Sequence, residues 1–187
     1  MTMLPGRLLL LCFLPLISGA GLQSLVEIQV KNEFLASNVY LTFAHRLATR
    51  GVYHGFANFF YESAEEEREH GKKLIDFYNA RNRDLLLYSI DIDDEIAATD
   101  DLVKMIFAAA KLEQQVYDSL INVRLQAHND KDYPTVHFIE QVMLEEQTVA
   151  LKYMSDLVER IKRHLDNPTI LLQMMDQDLR KKQIKKP

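Results

Sequence analysis

The 187-residue chain is long enough for one domain with a sizeable core. Hydrophobic residues make up 48% and charged residues 26% of it, which is typical of a folded globular protein and excludes a disordered one. A net charge of -5 argues against a nucleic-acid-binding protein, and a single cysteine excludes an intramolecular disulfide and an all-cysteine metal site. Any bound metal would therefore need carboxylate and imidazole ligands.

The first 20 residues have the features of a secretory signal peptide in the usual order. Arg7 precedes the apolar run Leu8–Ile17, and the small residues at 18–20 suit a signal-peptidase site. The run is too short to cross a bilayer, and no later segment is continuously apolar enough to do so. We therefore expect a secreted protein without a membrane anchor. The alternatives for this segment are a buried N-terminal helix and a start codon placed too far upstream.

From Leu22 to His164, apolar residues recur at spacings of three and four, which predicts an all-α chain. A short fifth helix and a basic tail follow, so that a single domain would cover residues 21–180 and the tail residues 181–187. The predicted helices are Leu22–Ala48, Gly55–Ala80, Ile96–His128, Thr135–His164 and the short Thr169–Leu179.

The lengths of the connections predict the topology. The first and second helices, and the third and fourth, are joined by only a few residues, so each pair forms an antiparallel hairpin. The link Arg81–Glu95 has roughly fifteen residues, which reach about 50 Å when extended, whereas a helix of about 25 residues spans about 37 Å. We therefore expect a four-helix bundle in which one long crossover joins two hairpins.

Polar side chains interrupt the apolar stripes of all four long helices at mid-length. A buried carboxylate must be protonated, paired or bound to a cation, and these stripes carry no lysine or arginine. The polar residues are Glu33 and Tyr40 on the first helix, Glu67 and His70 on the second, Glu113 on the third, and Glu146 and Gln147 on the fourth.

Each of these residues is a weak signal by itself, because a mid-helix glutamate is usually solvated and a Glu-x-x-His match is common. Agreement among four helices is much stronger. Carboxylates with one imidazole suit iron or manganese better than structural zinc. Five or six ligands with one bridging carboxylate exceed the needs of one ion, so the pattern predicts a site for two metal ions.

At this point the sequence closely resembles ferritin, and specifically its heavy-chain type, over residues 22–179. The motifs that carry the resemblance are long and occur in order. They are NEFLASNVYL (Asn32–Leu41), EEEREHGKKL (Glu65–Leu74), KLEQQVYDSL (Lys111–Leu120) and FIEQVMLEEQ (Phe138–Gln147).

The resemblance implies a ferroxidase site with two iron ions per subunit. Glu33, Glu67 and His70 would hold the first iron, with Glu67 as the bridge. Glu67, Glu113 and Gln147 would hold the second. Ferritins of the light type lack several of these ligands, whereas this sequence keeps them all.

Further implications concern the surroundings of the site and the assembly. Tyr40 matches the family's tyrosine beside the two irons. The resemblance also implies a shell of 24 subunits, of one kind or mixed with other ferritin chains. Such a shell oxidises Fe(II) with dioxygen or peroxide and stores Fe(III) mineral inside.

Two other groups of residues are candidates for handling iron. Glu62, Glu65, Glu66 and Glu69 lie within about 100° on the second helix. They match the cluster that seeds mineral in light-type ferritins, although a solvated face is the usual meaning of such a pattern.

The segment Asp130–Glu140 matches the family's threefold channel, with one departure. His137 stands where the family usually has aspartate, while Glu140 keeps the second channel acid. Neutral histidines would attract cations less strongly than aspartates. The alternative is that His137 is only an exposed loop residue.

Two other functions compete with a secreted ferroxidase. A secreted non-enzymatic iron carrier or yolk-type reserve would use the same ligands for binding alone, and dioxygen uptake on addition of Fe(II) separates the two. A cytokine-type helical signalling protein explains the helices and the signal peptide. It does not explain the buried glutamates and histidine.

Overall fold

The computed structural model describes the backbone of residues 21–184 and the side chains of residues 21–181. The predicted signal peptide, residues 1–20, lies outside the described residues, as does the end of the basic tail. All regular structure within the described range is helical, as predicted. None of the described helices is long and apolar enough to cross a membrane.

Four long helical segments form the bundle, as predicted. The first, second and third are α1, α2 and α4, and the fourth is a continuous run made of α5, a π-helical turn and α6. The elements are α1 (Leu22–Arg50), α2 (His54–Asn79), α3 (Asp94–Ala98), α4 (Leu102–Asn129), α5 (Tyr133–Phe138), the π turn (Ile139–Leu144), α6 (Glu145–Lys162) and α7 (Pro168–Ile184).

The long helices bury their apolar stripes against one another. α1 packs against α2 and α4, and α4 packs against the fourth helical run. Stacked rings of Tyr40 and Phe60, whose centroids are 5.8 Å apart, join α1 to α2 in the middle of the bundle. Leu41 follows the buried Tyr40 by one residue, about 100° around the helix, and it is exposed.

The third helix begins later than predicted. Residues 94–98 form the separate helix α3, and α4 starts only at Leu102. The Asp101 carboxylate caps α4 by accepting hydrogen bonds from the backbone N–H of Val103 at 2.8 Å and of Lys104 at 3.4 Å. Asp101 has an extended backbone conformation, as N-cap residues usually do. The single helix predicted from Ile96 is therefore interrupted at this residue.

The fourth helix differs from a regular α-helix at the π turn. Its buried positions Ile139, Met143 and Gln147 are four residues apart, whereas a regular helix alternates spacings of three and four. The extra residue per turn rotates the start of α6 relative to α5. Glu146 and Gln147 follow the π turn in the first turn of α6.

α7 is longer than the predicted fifth helix, since it continues to Ile184, so the predicted start of the tail at residue 181 falls inside it. The buried Asp176 of α7 accepts a hydrogen bond of 3.0 Å from the backbone N–H of Phe56. It also accepts one of 3.0 Å from Arg180 Nε. Tyr53 offers no side-chain cap to α2. Asp176 therefore satisfies one of the backbone N–H groups that have no partner within the first turn of that helix.

The crossover runs along the bundle and is attached to α1 by Glu27. Its buried carboxylate accepts hydrogen bonds from the Leu86 backbone N–H at 3.0 Å and from the Tyr88 hydroxyl at 3.3 Å. Burial raises the pKa of Glu27, but these bonds and one from Gln23 outweigh it, so the pKa lies below its usual value. The crossover is therefore held in place by specific contacts.

Candidate metal centre

Three buried side chains from α1 and α2 meet in the middle of the bundle. Glu67 and His70 are three residues apart on α2 and so share one face, and Glu33 faces them from α1. One ligand atom from each lies within 4.8 Å of the others. His70 Nδ1 is 3.6 Å from Glu67 Oε2 and 3.8 Å from Glu33 Oε2.

These separations suit a metal ion. With metal–ligand bonds of about 2.1 Å, two ligand atoms lie about 3.0 Å apart at a right angle and about 3.4 Å apart at a tetrahedral angle. Small side-chain movements would bring the three donors to such spacings. Oxygen and imidazole donors together suit iron and similar first-row ions.

Glu113 and Gln147 lie on the opposite side of the bundle interior, on α4 and α6, and they contact each other. Glu113 Oε2 accepts a short hydrogen bond from Gln147 Nε2, and Glu113 Oε1 accepts one from the Tyr40 hydroxyl. All three side chains are buried. The structure thus brings all six residues of the predicted site into the same core region, with Glu67 close enough to influence the ionisation of Glu33 and Glu113.

The ionisable groups of this region are strongly perturbed. Burial raises the pKa of Glu113 to about 7, and the neighbouring charge of Glu67 adds to the effect. Burial and then Glu67 raise the pKa of Glu33 well above its usual value. The pKa of Tyr40 is also raised well above normal by burial and by Glu113. In the absence of a cation, the cluster therefore resists full ionisation.

Several polar atoms of this region have no hydrogen-bond partner. They are Glu33 Oε2, Glu67 Oε2, His70 Nδ1 and Gln29 Oε1, all of them buried. Unpaired buried polar atoms are unfavourable, and such atoms in a native structure need an explanation. Three of the four belong to the Glu33, Glu67 and His70 group, where a metal ion would satisfy them.

Two contacts of the site were not predicted. Gln29 Nε2 donates a hydrogen bond of 2.7 Å to Glu33 Oε1, and His70 Nε2 lies 2.7 Å from Glu146 Oε2. Gln29 is fully buried one turn before Glu33, and that i,i+4 spacing could have identified it in the sequence. Glu146 was recognised in the sequence as a polar residue at mid-helix, but its contact with His70 on another helix was not predicted.

The acidic strip of Glu62, Glu65, Glu66 and Glu69 is exposed, as a solvated or mineral-contacting face would be. Two of its members interact with basic residues of the same helix. Glu69 Oε1 accepts a hydrogen bond of 2.7 Å from Lys72 Nζ, and Glu65 Oε1 lies 3.8 Å from Arg68 Nε. None of the four belongs to the buried donor group.

The predicted channel residues lie apart from the buried site, at the start of the fourth helical run. His137 is exposed, and Glu140 is partly buried. Glu140 Oε1 accepts a hydrogen bond of 2.7 Å from Arg124 Nε of α4. This arginine, which was not predicted, offsets the negative charge of the glutamate within the same chain.

The fold and the buried donors define an α-helical bundle protein with a candidate carboxylate and histidine metal centre. Comparison with known proteins agrees: the family model for ferritins, described as a ferritin-like domain, matches residues 23–164. The chain therefore belongs to the ferritin family.

Individual relatives are found in plants, animals and bacteria. The chloroplastic Ferritin-1 of Pisum sativum is 34% identical over 145 residues, which cover 75% of this chain and only 57% of the pea protein. The ferritin of Pacifastacus leniusculus is 32% identical over 136 residues, covering 72% of this chain and 75% of the relative. The bacterial non-heme ferritin of Staphylococcus epidermidis is 35% identical over 120 residues, covering 64% and 69%.

Solved structures also resemble this chain. A crystal structure of an iron-soaked PmFTN variant superposes with a TM-score of 0.75 at 25% identity, covering 83% of this chain and 97% of the other.

Proposed function

We propose that this ferritin is an iron-storage protein with ferroxidase activity, of the heavy-chain type. The observation that carries the proposal is the group of Glu33, Glu67 and His70, in which three buried ligand atoms converge without hydrogen-bond partners. A protein that only needed a stable core would gain little from such a group, because unpaired buried polar atoms are destabilising.

In the proposed site, two Fe(II) ions bind per chain as substrate. Glu33, Glu67 and His70 hold the first ion, and Glu67 bridges to the second, which Glu113 and Gln147 also hold. This arrangement is supported by the electrostatic coupling of Glu67 to both Glu33 and Glu113.

Tyr40 has a supporting role in the proposed site. Its buried hydroxyl donates a hydrogen bond to Glu113 Oε1, which helps to orient that carboxylate. The stacked ring of Phe60 fixes the position of the tyrosine.

The oxidation balances with dioxygen as the oxidant. Two Fe(II) ions lose one electron each, and one dioxygen takes up both electrons with two protons to give hydrogen peroxide. With hydrogen peroxide as the oxidant, two further electrons and two protons give two water molecules. The protein's part is to bring the two ions close together in a buried site and to supply carboxylates that stabilise the higher charge of Fe(III).

The experiment is stopped-flow oxidation of Fe(II) by the double variant Glu67→Lys and His70→Gly. We expect the rapid phase to be lost while the helical content and the particle mass stay unchanged. A matched control changes Glu159 to Lys and Lys162 to Gly, which are exposed on α6 at the same spacing. If the first variant oxidises iron at the parental rate, the site is wrong. If the parent binds Fe(II) without taking up dioxygen, the protein is an iron carrier and not an enzyme.

We also propose that the chain assembles into a shell of 24 subunits, alone or with other ferritin chains, which holds ferric mineral. Exposed apolar side chains on the crossover support an assembly, since Leu86 is 60% and Leu87 is 59% exposed. The mass of the purified particle, measured with its iron content, tests the shell and the storage together. A monomer or dimer without iron would contradict both.

The strip of Glu62, Glu65, Glu66 and Glu69 is proposed to seed the mineral, which its exposure permits. Changing all four to alanine should slow core growth more than the first oxidation. Unchanged mineralisation would leave the strip as a solvated face.

His137 and Glu140 are proposed to line a route for iron. Because Arg124 is bonded to Glu140, the route should attract Fe(II) weakly. His137→Asp should therefore speed iron entry, because an aspartate adds a negative charge to the route. Equal rates would exclude His137 from the route.

For the N-terminal residues 1–20, the proposal is a cleaved secretory signal, tested by N-terminal sequencing of protein recovered from the medium.

A further inference from the structure

Glu146 links the buried donor group to the surface of the protein. It lies in the first turn of α6, and its Oε2 is 2.7 Å from Nε2 of His70. The side chain of His70 is 9% exposed and that of Glu146 is 53% exposed, so the contact joins a buried side chain to one at the protein surface. Lys73 Nζ donates to both oxygens of Glu146 at 3.2 Å.

The two nitrogens of the His70 ring have different surroundings. Nδ1 has no hydrogen-bond partner and faces the carboxylates of Glu33 and Glu67, while Nε2 faces Glu146. A neutral imidazole carries one proton, and only the nitrogen without it can bind a metal ion. A proton on Nε2 is donated to Glu146 and leaves the lone pair of Nδ1 directed into the donor group.

We propose that Glu146 is a positioning residue that holds His70 with its proton on Nε2 and with Nδ1 aimed at the metal, and that Lys73 anchors Glu146. The proposal rests on the proposed function only in taking the Glu33, Glu67 and His70 group as the place where metal binds. Carboxylates that accept a hydrogen bond from a metal-binding histidine fix its orientation and raise its basicity.

The geometry favours this role over direct metal binding by Glu146. A metal ion bound by both His70 Nε2 and Glu146 Oε2 would hold these atoms about 3.0 Å apart or more. The observed 2.7 Å is a hydrogen-bond distance. In addition, both oxygens of Glu146 are already engaged by Lys73.

The first test reads the ring of His70 in the metal-free protein, independently of any iron chemistry. Solid-state NMR with ¹⁵N-labelled histidine suits a particle of any size, and the signal of His70 is assigned by its loss in His70→Gln. At alkaline pH, where the ring is neutral, we expect the proton on Nε2 in the parent. We expect a mixture of both tautomers in Glu146→Ala.

The second test measures Co²⁺ binding, with Co²⁺ as a probe that dioxygen does not readily oxidise in such a site. Glu146→Ala should weaken binding about tenfold to a hundredfold, the usual effect of losing a carboxylate that supports a metal-binding histidine. Lys73→Met should have a smaller effect in the same direction. Glu145→Ala is the matched control, because Glu145 is exposed on the same turn and has the same charge. Glu146→Gln should recover part of the affinity, because its amide oxygen can still accept the bond.

Three results would overturn the proposal. The first is a proton on Nδ1 in the parent. The second is unchanged Co²⁺ binding and an unchanged tautomer in Glu146→Ala. The third is a Co²⁺-induced shift at Nε2 in place of Nδ1, which would make Glu146 part of a different site. If the tautomer result holds but the parent does not oxidise Fe(II), the ferroxidase proposal fails and the positioning role stands.

Discussion

Two buried carboxylates of the protein have different neighbours. Asp132, between α4 and α5, contacts arginines, whereas Glu33, in the middle of α1, faces Glu67 and His70. Asp132 Oδ1 is 2.7 Å from Arg81 Nη2, and Oδ2 is 3.1 Å from Arg83 Nη1. Thr135 Oγ1 donates to Asp132 at 3.0 Å. Burial raises the pKa of Asp132, but these hydrogen bonds outweigh it, so the pKa lies below its usual value.

Among the described residues, Glu33 has no arginine or lysine partner. One of its oxygens accepts a hydrogen bond from the neutral amide of Gln29, and the other faces Glu67 and His70 without a hydrogen bond. The pKa of Glu33 is raised by burial and by Glu67. A carboxylate among arginines stabilises the fold by itself, whereas one among other acids needs a proton or a metal ion. Asp132 is therefore a structural residue, and Glu33 is a candidate metal ligand.

The largest expected effect is on stability in the absence of metal. Asp132→Ala should lower the free energy of unfolding by about 2–3 kcal/mol, somewhat less than for a fully buried pair because both arginines are partly exposed. Glu33→Gln should cause little loss or a gain, because burial and Glu67 already disfavour the ionised form of Glu33. Urea denaturation of the metal-free proteins measures both, with the exposed Asp91→Ala as a control. Equal losses for Asp132→Ala and Glu33→Gln would remove the distinction.

A smaller effect is expected in the pH dependence of stability. Because the pKa of Asp132 is lower in the folded protein, its contribution is fully present above its unfolded value of about 4. It is lost as the pH falls through the folded value. The difference in melting temperature between the parent and Asp132→Asn should therefore be constant near neutral pH and shrink below about pH 4. A difference that stays constant down to about pH 3 would show that ionisation of Asp132 does not stabilise the fold.

Much of this account could be predicted from the sequence, because both the bundle and the donor group follow from helical periodicity. Glu33, Glu67 and Glu113 were recognised because they interrupt apolar stripes, and a stripe predicts burial without knowledge of the tertiary structure. The break before α4 was also visible in principle, since Asp101 is a typical N-cap residue.

Other contacts could not be predicted, because they depend on how helices rotate and where loops lie. The contact between Glu146 and His70 joins α6 to α2 across 76 residues of sequence, and it depends on how the two helices are rotated relative to each other. The bond between Arg124 and Glu140 joins α4 to the fourth helical run across a tight connection. Spacing along the sequence gives no distance between such residues.

The central claim is that the unpaired buried acids are metal ligands, and an anaerobic titration with Co²⁺ tests it most directly. The account predicts two tightly bound ions per chain in the parent, one in Glu113→Ala and none in Glu67→Ala, because Glu67 serves both ions. Asp132→Asn should still bind two, since that acid already has its arginine partners. Tight binding of two ions by Glu67→Ala would contradict the account, as would a parent that binds none.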